Sequence, residues 1–369
     1  MGAKPGLFLG LMSGTSLDGV DAALVETDGE RVARAGAALT LPYDAELRTR
    51  LRALLDRAEM LARDDAELAA AERALTDRHA EAVAALLDSA GASARDIVGI
   101  GFHGQTILHR PARRLTWQIG DATRLARATS IPVVHDFRSA DVAAGGQGAP
   151  LAPLWHAALA GGLERPVAVL NLGGVGNVTW IGADGAVIAC DTGPGNGPLD
   201  DWVAARAGVP YDDGGRIAAA GTVAVGVLAR LMAHPFFSAP PPKSLDRLDF
   251  AAAIASSGLA SLPVADGAAT LAAFTAAAVA ALRTHLPAPP RRWLVAGGGR
   301  RNRAIMTALA AALGVAVDPV EAIGWDGDAL EAQAFAYLAA RSMRRLPLSL
   351  PTTTGVPEPM PGGRLARPQ

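Results

Sequence analysis

The stretch from Met12 to Asp21 carries small hydroxyl residues, two glycines and a carboxylate between two apolar runs. The runs, 7–12 and 20–25, have the composition of β-strands, and the short Gly-containing segment between them predicts a β-hairpin. Its tip would present backbone N–H groups, hydroxyls and the carboxylate of Asp18. These are the groups needed to hold a phosphate chain and its metal ion. The stretch therefore predicts a grip for ATP, with the rest of the chain building a cleft around it.

A second stretch whose residues could take part in catalysis is DTGPGN at 191–196, which follows the apolar run 186–190. A carboxylate at the end of a strand, beside a rigid Gly-Pro-Gly turn, is well placed for general-base work in a cleft. The alternative is that Asp191 only forms hydrogen bonds within its own turn. The motif alone leaves both interpretations open.

The loop 136–148 is the densest polar segment of the chain. It offers carboxylates, a guanidinium, an amide and flexible backbone, a set suited to binding sugar hydroxyls and carboxylates. An ordinary solvated loop with local pairing between aspartate and arginine would have the same composition. The residue types thus favour a sugar-binding loop without excluding a structural one.

Two glycine-rich segments differ in their context. The GxGxxG pattern at 99–104 is typical of dinucleotide-binding folds only when a helix follows, but 105–108 has an extended pattern, so the match is interpreted as accidental. The segment GGGRRN at 297–302 does lie between a predicted strand and a predicted helix, where a nucleotide can approach a backbone without Cβ atoms. Taken alone, this second motif is better explained as a tight turn. No GxxxxGK[ST] motif is present, which disfavours a P-loop NTPase.

The sequence contains no motif typical of a metal site, a disulfide framework or an α/β-hydrolase. His103, His109, His135 and His156 have a spacing that fits no compact metal-ligand pattern. Cys190 is the single cysteine, so no intramolecular disulfide forms, and a reducing cytoplasm is the simplest location. There is no GxSxG motif of the kind that marks an α/β-hydrolase.

Bulk composition excludes further classes. The chain has 369 residues, half of them hydrophobic, with a formal net charge of -2, so nothing favours nucleic acid or an anionic membrane as partner. The N-terminus lacks the pattern of a signal peptide. No window approaches the roughly 18 uninterrupted apolar residues of a membrane span, and Ala-rich segments such as 268–282 are expected to be packed helices.

The elements that must position these motifs alternate between strands and helices, which argues for an α/β fold. After the first hairpin, 31–41 can supply a third strand, and 44–61 and 65–87 show helical spacing. A strand, a glycine turn and a returning strand recur at 166–189. The recurrence predicts two similar lobes facing each other, and the length is enough for two domains.

Taken together and in order, the motifs resemble one family, the anhydro-N-acetylmuramic acid kinases of the sugar kinase/Hsp70/actin superfamily. The matching blocks span nearly the whole chain: GLMSGTSLDGVD at 10–21, GFHGQT at 101–106, QIG at 118–120, DFR at 136–138 with DVAAGGQGAPL at 141–151, NLGG at 171–174 with Asn177, DTGPGN at 191–196, PPPKS at 240–244, GGG at 297–299 with Asn302, and DALEA at 328–332.

The resemblance implies two lobes of ribonuclease-H-like topology with ATP in the cleft between them. We expect the first lobe to comprise 1–135 plus 335–369 and the second 136–334. The implied reaction is the hydrolytic opening of 1,6-anhydro-N-acetylmuramic acid, with transfer of the γ-phosphoryl group of ATP to O6. The product would be N-acetylmuramic acid 6-phosphate, an intermediate of cell-wall recycling.

The resemblance also implies site residues. Asp191 is expected to be the base that activates water, and Asp18 to hold Mg²⁺ through water. The expected ATP-binding residues are Gly14, Thr15, Ser16, Leu17, Asp18, Gly19, Val20, Asp21, Gly173, Gly174, Asn177, Gly297, Gly298, Gly299 and Asn302. The expected sugar contacts are His103, Gln105, Thr106, Arg138 and Glu331; Glu331 could equally be a helix-surface carboxylate.

Alternatives remain at this point. One is a kinase for another amino sugar, or phosphorylation without ring opening; another is an ATP-gated binding or chaperone-like protein that clamps a partner. The resemblance suggests a homodimer, which no residue pattern proves. Composition predicts a disordered tail over 350–369, whereas the resemblance suggests that Thr353-Thr354-Gly355 packs on the first lobe.

Overall fold

The computed structural model describes residues 4–14, 16–245 and 249–368. Contacts within the chain divide it into two compact units, Met1–Gly161 with Asp328–Gln369, and Gly162–Gly327. These bounds differ from the lobes expected from the sequence, since the loop beginning at 136 packs against the C-terminal segment within the first unit.

The strands of the described chain are β1 (Gly6–Ser13), β2 (Gly19–Thr27), β3 (Val32–Pro42), β4 (Ile97–Arg110), β5 (Leu115–Ile119), β6 (Val133–His135), β7 (Val167–Leu172), β8 (Val175–Ile181), β9 (Val187–Pro194), β10 (Arg292–Ala296), β11 (Ala316–Pro319) and β12 (Arg364–Ala366). The α-helices are α1 (Ala45–Asp56), α2 (Ala66–Ala90), α3 (Ala122–Thr129), α4 (Ser139–Ala143), α5 (Pro153–Leu159), α6 (Gly197–Ala207), α7 (Arg216–Ala219), α8 (Val225–Met232), α9 (Ala251–Ser256), α10 (Val264–Ala281), α11 (Arg303–Leu313), α12 (Leu330–Met343) and α13 (Pro351–Thr354).

The two sheets share one topology. In the first unit the order is β12-β6-β4-β1-β2-β3, with β5 paired to β4. Strands β1, β2 and β3 form an antiparallel meander, and β4 and β6 continue the sheet parallel to β1. In the second unit β7, β8 and β9 form the same meander, and β10 and β11 continue it parallel to β7. This repetition confirms the α/β fold with two ribonuclease-H-like lobes; the ATP cleft between them remains a prediction.

Aspartates begin three helices of the first unit at the positions that the sequence predicts. The side chains of Asp44, Asp65 and Asp121 accept hydrogen bonds from backbone N–H groups three residues later and so cap α1, α2 and α3. Gly91 ends α2 in the left-handed region, at φ 61°, where a residue without Cβ is favoured. Local chemistry thus sets the helix bounds here.

Helix α12 packs directly on the strands that lead to the predicted site. A Cβ added to Gly10 would lie 1.8 Å from the Ala332 carbonyl oxygen, and one added to Gly101 would lie 2.0 Å from that of Phe335. The glycines therefore allow a helix to approach β1 and β4 closely. Since Gly101 lies inside the continuous strand β4, the GxGxxG match at 99–104 is indeed accidental.

In the second unit the Ala-rich helix α10 lies in the core, as expected of a packed helix. Its buried residues include Phe274 and Val279. Among the described residues one helical segment, Val264–His285, is long and apolar enough to cross a membrane by length and composition, and 61% of that window is buried inside the protein. A buried core helix accounts for this pattern.

The C-terminal segment belongs to the first unit. Strand β12 pairs antiparallel with β6, and Thr353 and Thr354 at the end of α13 are both buried. The disordered tail predicted from composition is therefore wrong, and the packing suggested by the Thr-Thr-Gly segment is confirmed. The Thr353 hydroxyl bonds Leu350 within this turn, and the Thr354 hydroxyl donates to Asp141 elsewhere in the unit.

Candidate active site

The predicted hairpin is formed by β1 and β2, which pair antiparallel from Gly6 with Thr27 to Met12 with Asp21. At its tip the Leu17 N–H donates to the Gly14 carbonyl oxygen over 3.2 Å. Leu17 is fully buried at φ 58°, whereas Ser16 and Asp18 are exposed. The tip is thus anchored by one apolar side chain and presents a hydroxyl and a carboxylate to solvent. Thr15 lies outside the described residues.

Two carbonyl oxygens of the tip accept hydrogen bonds, one from helix α1 and one from Tyr43, the residue before the N-cap of α1. Arg48 donates through Nε to the Leu17 oxygen at 2.9 Å, and the Tyr43 N–H donates to the Asp18 oxygen at 3.1 Å. Two carbonyl groups of the tip are thus already bonded to other residues of the first unit. Arg48 was not found by sequence reasoning, because its role depends on a contact between residues far apart in the chain.

The remaining predicted residues of the hairpin belong to strand β2. A Cβ at Gly19 would lie 2.4 Å from the Leu41 carbonyl oxygen, so glycine here allows close pairing with β3. Val20 is fully buried, and Asp21 accepts a hydrogen bond of 2.6 Å from the Thr40 hydroxyl. These three residues support the tip, and Asp21 contributes charge beside it.

The donor set of the tip fits a magnesium ion bound mainly through phosphate and water. Within the described ranges, no group of three or more His, Cys, Asp or Glu side chains could hold a metal by itself. Mg²⁺ in phosphoryl-transfer sites typically uses one or two carboxylates plus substrate phosphates and several waters. The exposed carboxylate of Asp18 matches that requirement.

Below the hairpin, polar side chains connect β1 to β4. The Ser13 hydroxyl forms a 2.6 Å hydrogen bond with the Tyr43 hydroxyl and also donates to Gln105 Oε1. Gln105 is fully buried, while Thr106 is half-buried and accepts from Gln118 Nε2 at 3.1 Å. Gln105 is therefore positioned to support the site from beneath, and Thr106 retains access to solvent.

Arg138 and His103 form a bonded pair. Arg138 donates to His103 Nε2 from Nε at 3.1 Å and from Nη2 at 3.0 Å, and to the Gly148 carbonyl oxygen from Nη1 at 2.6 Å. Burial and the adjacent guanidinium hold the pKa of His103 well below its usual range, so the imidazole is neutral. Burial also lowers the pKa of Arg138 to about 10, which leaves it charged at neutral pH.

Glu331, in the first turn of α12, belongs to the same cluster. Its side chain reaches solvent, yet the surrounding protein raises the pKa of its carboxyl; the Asp21 carboxylate raises it further and Arg138 lowers it. These interactions bring Glu331, Arg138 and Asp21 into one electrostatic group. Within the first unit the structure thus gathers the predicted sugar contacts beside the predicted phosphate hairpin.

In the second unit Asp191 belongs to a row of polar residues across the sheet. Asn171 on β7 pairs with Asn177 on β8, and Asn177 pairs with Asp191 on β9. Directly paired residues of neighbouring strands share a face of the sheet, so the three side chains lie side by side. Asp191 lies within β9, which continues to Pro194, and the prediction that it follows the strand is wrong.

The carboxyl group of Asp191 has a raised pKa. Enclosure by protein raises the pKa of Asp191 to about 7, although the Leu245 N–H, which donates to Oδ2 at 2.7 Å, opposes the rise. The Asp191 N–H donates to the Lys243 carbonyl oxygen at 2.9 Å. Lys243 of the PPPKS segment therefore holds the backbone of the base candidate, and Leu245, just after that segment, holds its side chain. The side chain keeps partial solvent exposure.

Glycine turns of the second unit converge next to this row. The N–H groups of Asn196 and Gly195 donate to the carbonyl oxygens of Gly173 and Gly174 at 2.8 and 3.0 Å. A Cβ at Gly297, which has φ 73°, would lie 2.6 Å from the Leu172 carbonyl oxygen. The end of β7 is thus packed against both turns.

Two glycines at this point face open space. Gly174 and Gly298 are exposed, and a Cβ on Gly174 would meet no atom within 4 Å, while one on Gly298 would meet only the Asn196 amide at 3.7 Å. Gly299 is different, since its Cβ would lie 2.6 Å from Leu172 Cβ. Open glycines beside a helix start leave room for a ligand to approach the backbone.

Asn302 has a structural task in this turn. It is buried, and its side-chain oxygen accepts from the Ile305 N–H at 3.1 Å and so caps α11. Its amide nitrogen donates to the Asp212 carbonyl oxygen at 3.4 Å. Any influence of Asn302 on a nucleotide would pass through the turn 297–301 that it holds in place.

The chain matches one protein family over nearly its whole length. The family model described as anhydro-N-acetylmuramic acid kinase matches residues 6–366. The chain is 64% identical over 360 residues to the anhydro-N-acetylmuramic acid kinase of Acidiphilium cryptum, covering 98% of each chain. It is 57% identical to that of Rhodospirillum rubrum, covering 96% of this chain and 92% of the relative.

Among solved structures, component A of the Acidaminococcus fermentans (R)-2-hydroxyglutaryl-CoA dehydratase aligns with 91% of this chain and 99% of its own, at 13% identity and a TM-score of 0.49. The match of the family model over nearly the whole chain and the high identity to curated relatives decide the assignment. The chain belongs to the anhydro-N-acetylmuramic acid kinase family.

Proposed function

We propose that this kinase opens 1,6-anhydro-N-acetylmuramic acid with water and phosphorylates O6 with ATP, giving N-acetylmuramic acid 6-phosphate and ADP. The observation that carries the proposal is the environment of Asp191, a partly exposed carboxylate with a pKa of about 7 in a polar row beside open glycine turns. A base whose pKa lies near the working pH is suited to taking a proton from water.

The atoms of the reaction balance around this base. Asp191 accepts a proton from a water molecule whose oxygen bonds to the anomeric carbon. The bond from that carbon to the bridging oxygen breaks, and the freed O6 bonds to the γ-phosphorus as the bond to the β-phosphate oxygen breaks. Water thus supplies the anomeric hydroxyl, and ATP supplies the phosphoryl group.

We propose that the hairpin tip binds the phosphates. Its exposed Ser16 and Asp18, together with the backbone from Gly14 to Gly19, are suited to the transferring group, and Asp18 would hold Mg²⁺ through water. The ion would supply charge neutralisation at the phosphates. Gly173, Gly174, Gly297 and Gly298 would border the nucleotide in the second unit, and Asn177 would contact it from the neighbouring strand.

The cluster in the first unit is suited to the sugar. Arg138 uses three N–H groups in its bonds to His103 and Gly148, and a guanidinium has five. The two remaining N–H groups of Arg138 would bind sugar hydroxyls or the carboxylate of the lactyl group. Glu331 and Thr106 would bind sugar hydroxyls. Neutral His103 and buried Gln105 would orient these groups.

A homodimer and a cytoplasmic location are further parts of the proposal. The first rests on the family resemblance, and the second on the single cysteine, Cys190, which allows no intramolecular disulfide. Size-exclusion chromatography with light scattering tests the dimer directly. A mass of 37.6 kDa would contradict it.

The test of the proposed function measures ADP release with ATP and Mg²⁺, with and without the anhydro sugar. We expect one ADP for each sugar consumed and only slow release without the sugar. N-acetylmuramic acid, which lacks the anhydro bridge, serves as a control that accepts phosphate only in a kinase without ring opening. Equal turnover with both sugars, or turnover that ignores sugar, would overturn the proposal.

A further inference from the structure

A buried carboxylate connects the C-terminal segment to the loop that carries Arg138. Asp141 is 2% exposed and accepts hydrogen bonds from the Gly148 N–H at 2.6 Å, from the Thr354 hydroxyl at 2.6 Å and from the Ser349 hydroxyl. A buried carboxylate needs such donors, and removing one weakens the compensation of its charge. The three donors therefore determine where the loop 141–148 lies.

The same threonine also holds the loop through its backbone. The Gln147 N–H donates to the Thr354 carbonyl oxygen at 2.6 Å. The Gln147 carbonyl oxygen is bonded in turn to His109 Nε2 at 2.9 Å. Gln147 and Gly148 are thus fixed by the segment 349–354 and by β4 together, although more than 200 positions separate Thr354 from Asp141.

The loop then positions the guanidinium. The N–H of Gly148 donates to Asp141, and the carbonyl oxygen of Gly148 accepts from Arg138 Nη1 at 2.6 Å. A Cβ on Gly148, which has φ 67°, would lie 2.5 Å from the Val142 side chain, so this position in the loop requires glycine. The orientation of Arg138 is therefore set by a short series of contacts that ends at the C-terminal segment.

We propose that Thr354 is a positioning residue for sugar binding, acting through Asp141 and Gly148 on the guanidinium of Arg138. The inference rests on the proposed function, in which Arg138 contacts the sugar. It assigns to the Thr-Thr-Gly segment a task in substrate recognition, beyond packing on the first unit.

The chain offers a matched control in the neighbouring threonine. Thr353 is also buried, but its hydroxyl bonds only within its own turn, accepting from the Leu350 N–H at 2.9 Å and donating to the Leu350 oxygen at 3.1 Å. Thr354→Val and Thr353→Val thus remove equivalent groups, of which one contacts Asp141. Thr354→Ser keeps the hydroxyl.

The experiment measures kcat and KM for the anhydro sugar and for ATP in the full-length protein. We expect Thr354→Val to raise the KM for sugar about tenfold, with the kcat and the KM for ATP within about twofold. Thr353→Val is expected to lower the melting temperature without this selective change. Thr354→Ser is expected to restore the KM for sugar.

A double-mutant cycle with Arg138→Ala separates the inference from the function on which it rests. We expect Thr354→Val to add no further change to the KM for sugar once Arg138 is removed. An undiminished effect in that background, or an equal KM change in Thr353→Val, would overturn the positioning role. If Arg138→Ala alone leaves the KM for sugar unchanged, the proposed sugar contact fails first.

Discussion

The replacement Asp191→Asn is expected to stabilise the second unit while abolishing most turnover. The amide is neutral at every pH and keeps an oxygen for the Leu245 N–H that now bonds Oδ2. It therefore resembles the protonated carboxyl in shape and charge. Because the base must be ionised to act, the wild-type protein carries a stability cost that the variant lacks.

The sign and size follow from the pKa of Asp191. Enclosure raises it from 3.8 to about 7, so the folded state binds a proton more tightly than the unfolded state. The contribution of Asp191 to wild-type stability is fully present below pH 3.8 and is lost as the pH rises through about 7. At 1.36 kcal/mol for each pKa unit, the cost approaches ~4 kcal/mol above pH 7, and the partial exposure of the side chain reduces it to about 2–4 kcal/mol.

The assay is hydrogen exchange followed by mass spectrometry, read on peptides of β8 and β9 at several pH values after correction for intrinsic rates. We expect the free energy of opening in Asp191→Asn to exceed that of the wild type, with a difference that increases from pH 5 to pH 8. Asp184→Asn is the control, since this exposed carboxylate lies in the turn between the same two strands and bonds the Ala186 N–H.

Two results would refute this reasoning. A difference that stays constant with pH would mean that the carboxyl of Asp191 does not titrate in this range. A variant that is less stable than the wild type at pH 8 would mean that the charged form is favoured by its surroundings. Near-normal turnover in the variant would independently remove Asp191 from the role of base.

Further predictions concern the same two units. The kcat/KM of the wild type is expected to rise with pH and to level off above about 7, as the pKa of Asp191 requires; a flat profile from pH 5 to 9 would exclude this base. In Gly174→Ala and Gly298→Ala the added methyl group would project into open space. Each variant is expected to bind ATP at least about tenfold more weakly in calorimetry, at an unchanged melting temperature. Gly162→Ala, also in open space, is the control, and equal ATP affinity in all three would place the nucleotide elsewhere. His79 is fully buried, and burial lowers its pKa to about 4, so stability present above pH 6.5 is lost as the pH falls toward 4. Urea titrations should show that His79→Leu loses about 2 kcal/mol less than the wild type between pH 7 and pH 5, and parallel losses would contradict this.

Local patterns predicted much of the fold. The hairpin of β1 and β2, the capped helices and the repeated strand–turn–strand unit follow from alternation, capping residues and glycine turns, each read from a few neighbouring positions. The same is true of the turn at Gly297–Gly299. Such features are decided by short-range chemistry, which the sequence states directly.

Contacts between distant residues could not be predicted in this way. Asp141 was read as part of a solvated or sugar-binding loop, but three donors bury it, and Thr354 among them lies at the other end of the chain. Arg48 shapes the hairpin tip from a helix face with no distinguishing motif. Gln105 is fully buried and accepts a hydrogen bond from Ser13, 92 positions away in the chain. Its contact with the sugar stays a prediction. Packing, which pairs residues irrespective of their separation, decides these cases.

The position of Asp191 shows the limit of motif reading. The glycine and proline that follow it suggested a turn, yet β9 continues to Pro194 because β8 pairs with it along its length. The pairing places Asp191 in a row with Asn177, and this row could not be seen without the register of the sheet. The sequence thus predicted a general base at Asp191, but it could not predict which residues of the neighbouring strands lie beside that carboxylate.

The central claim is that water opens the anhydro bridge while ATP phosphorylates O6, and mass spectrometry of the product made in ¹⁸O-labelled water tests it most directly. A parallel sample of unlabelled N-acetylmuramic acid 6-phosphate, held in the same water for the same time, measures background exchange at the anomeric position. We predict one ¹⁸O at the anomeric hydroxyl above that background, and an unlabelled phosphate on O6. A product with no added label, or with the label in the phosphate, would contradict the account.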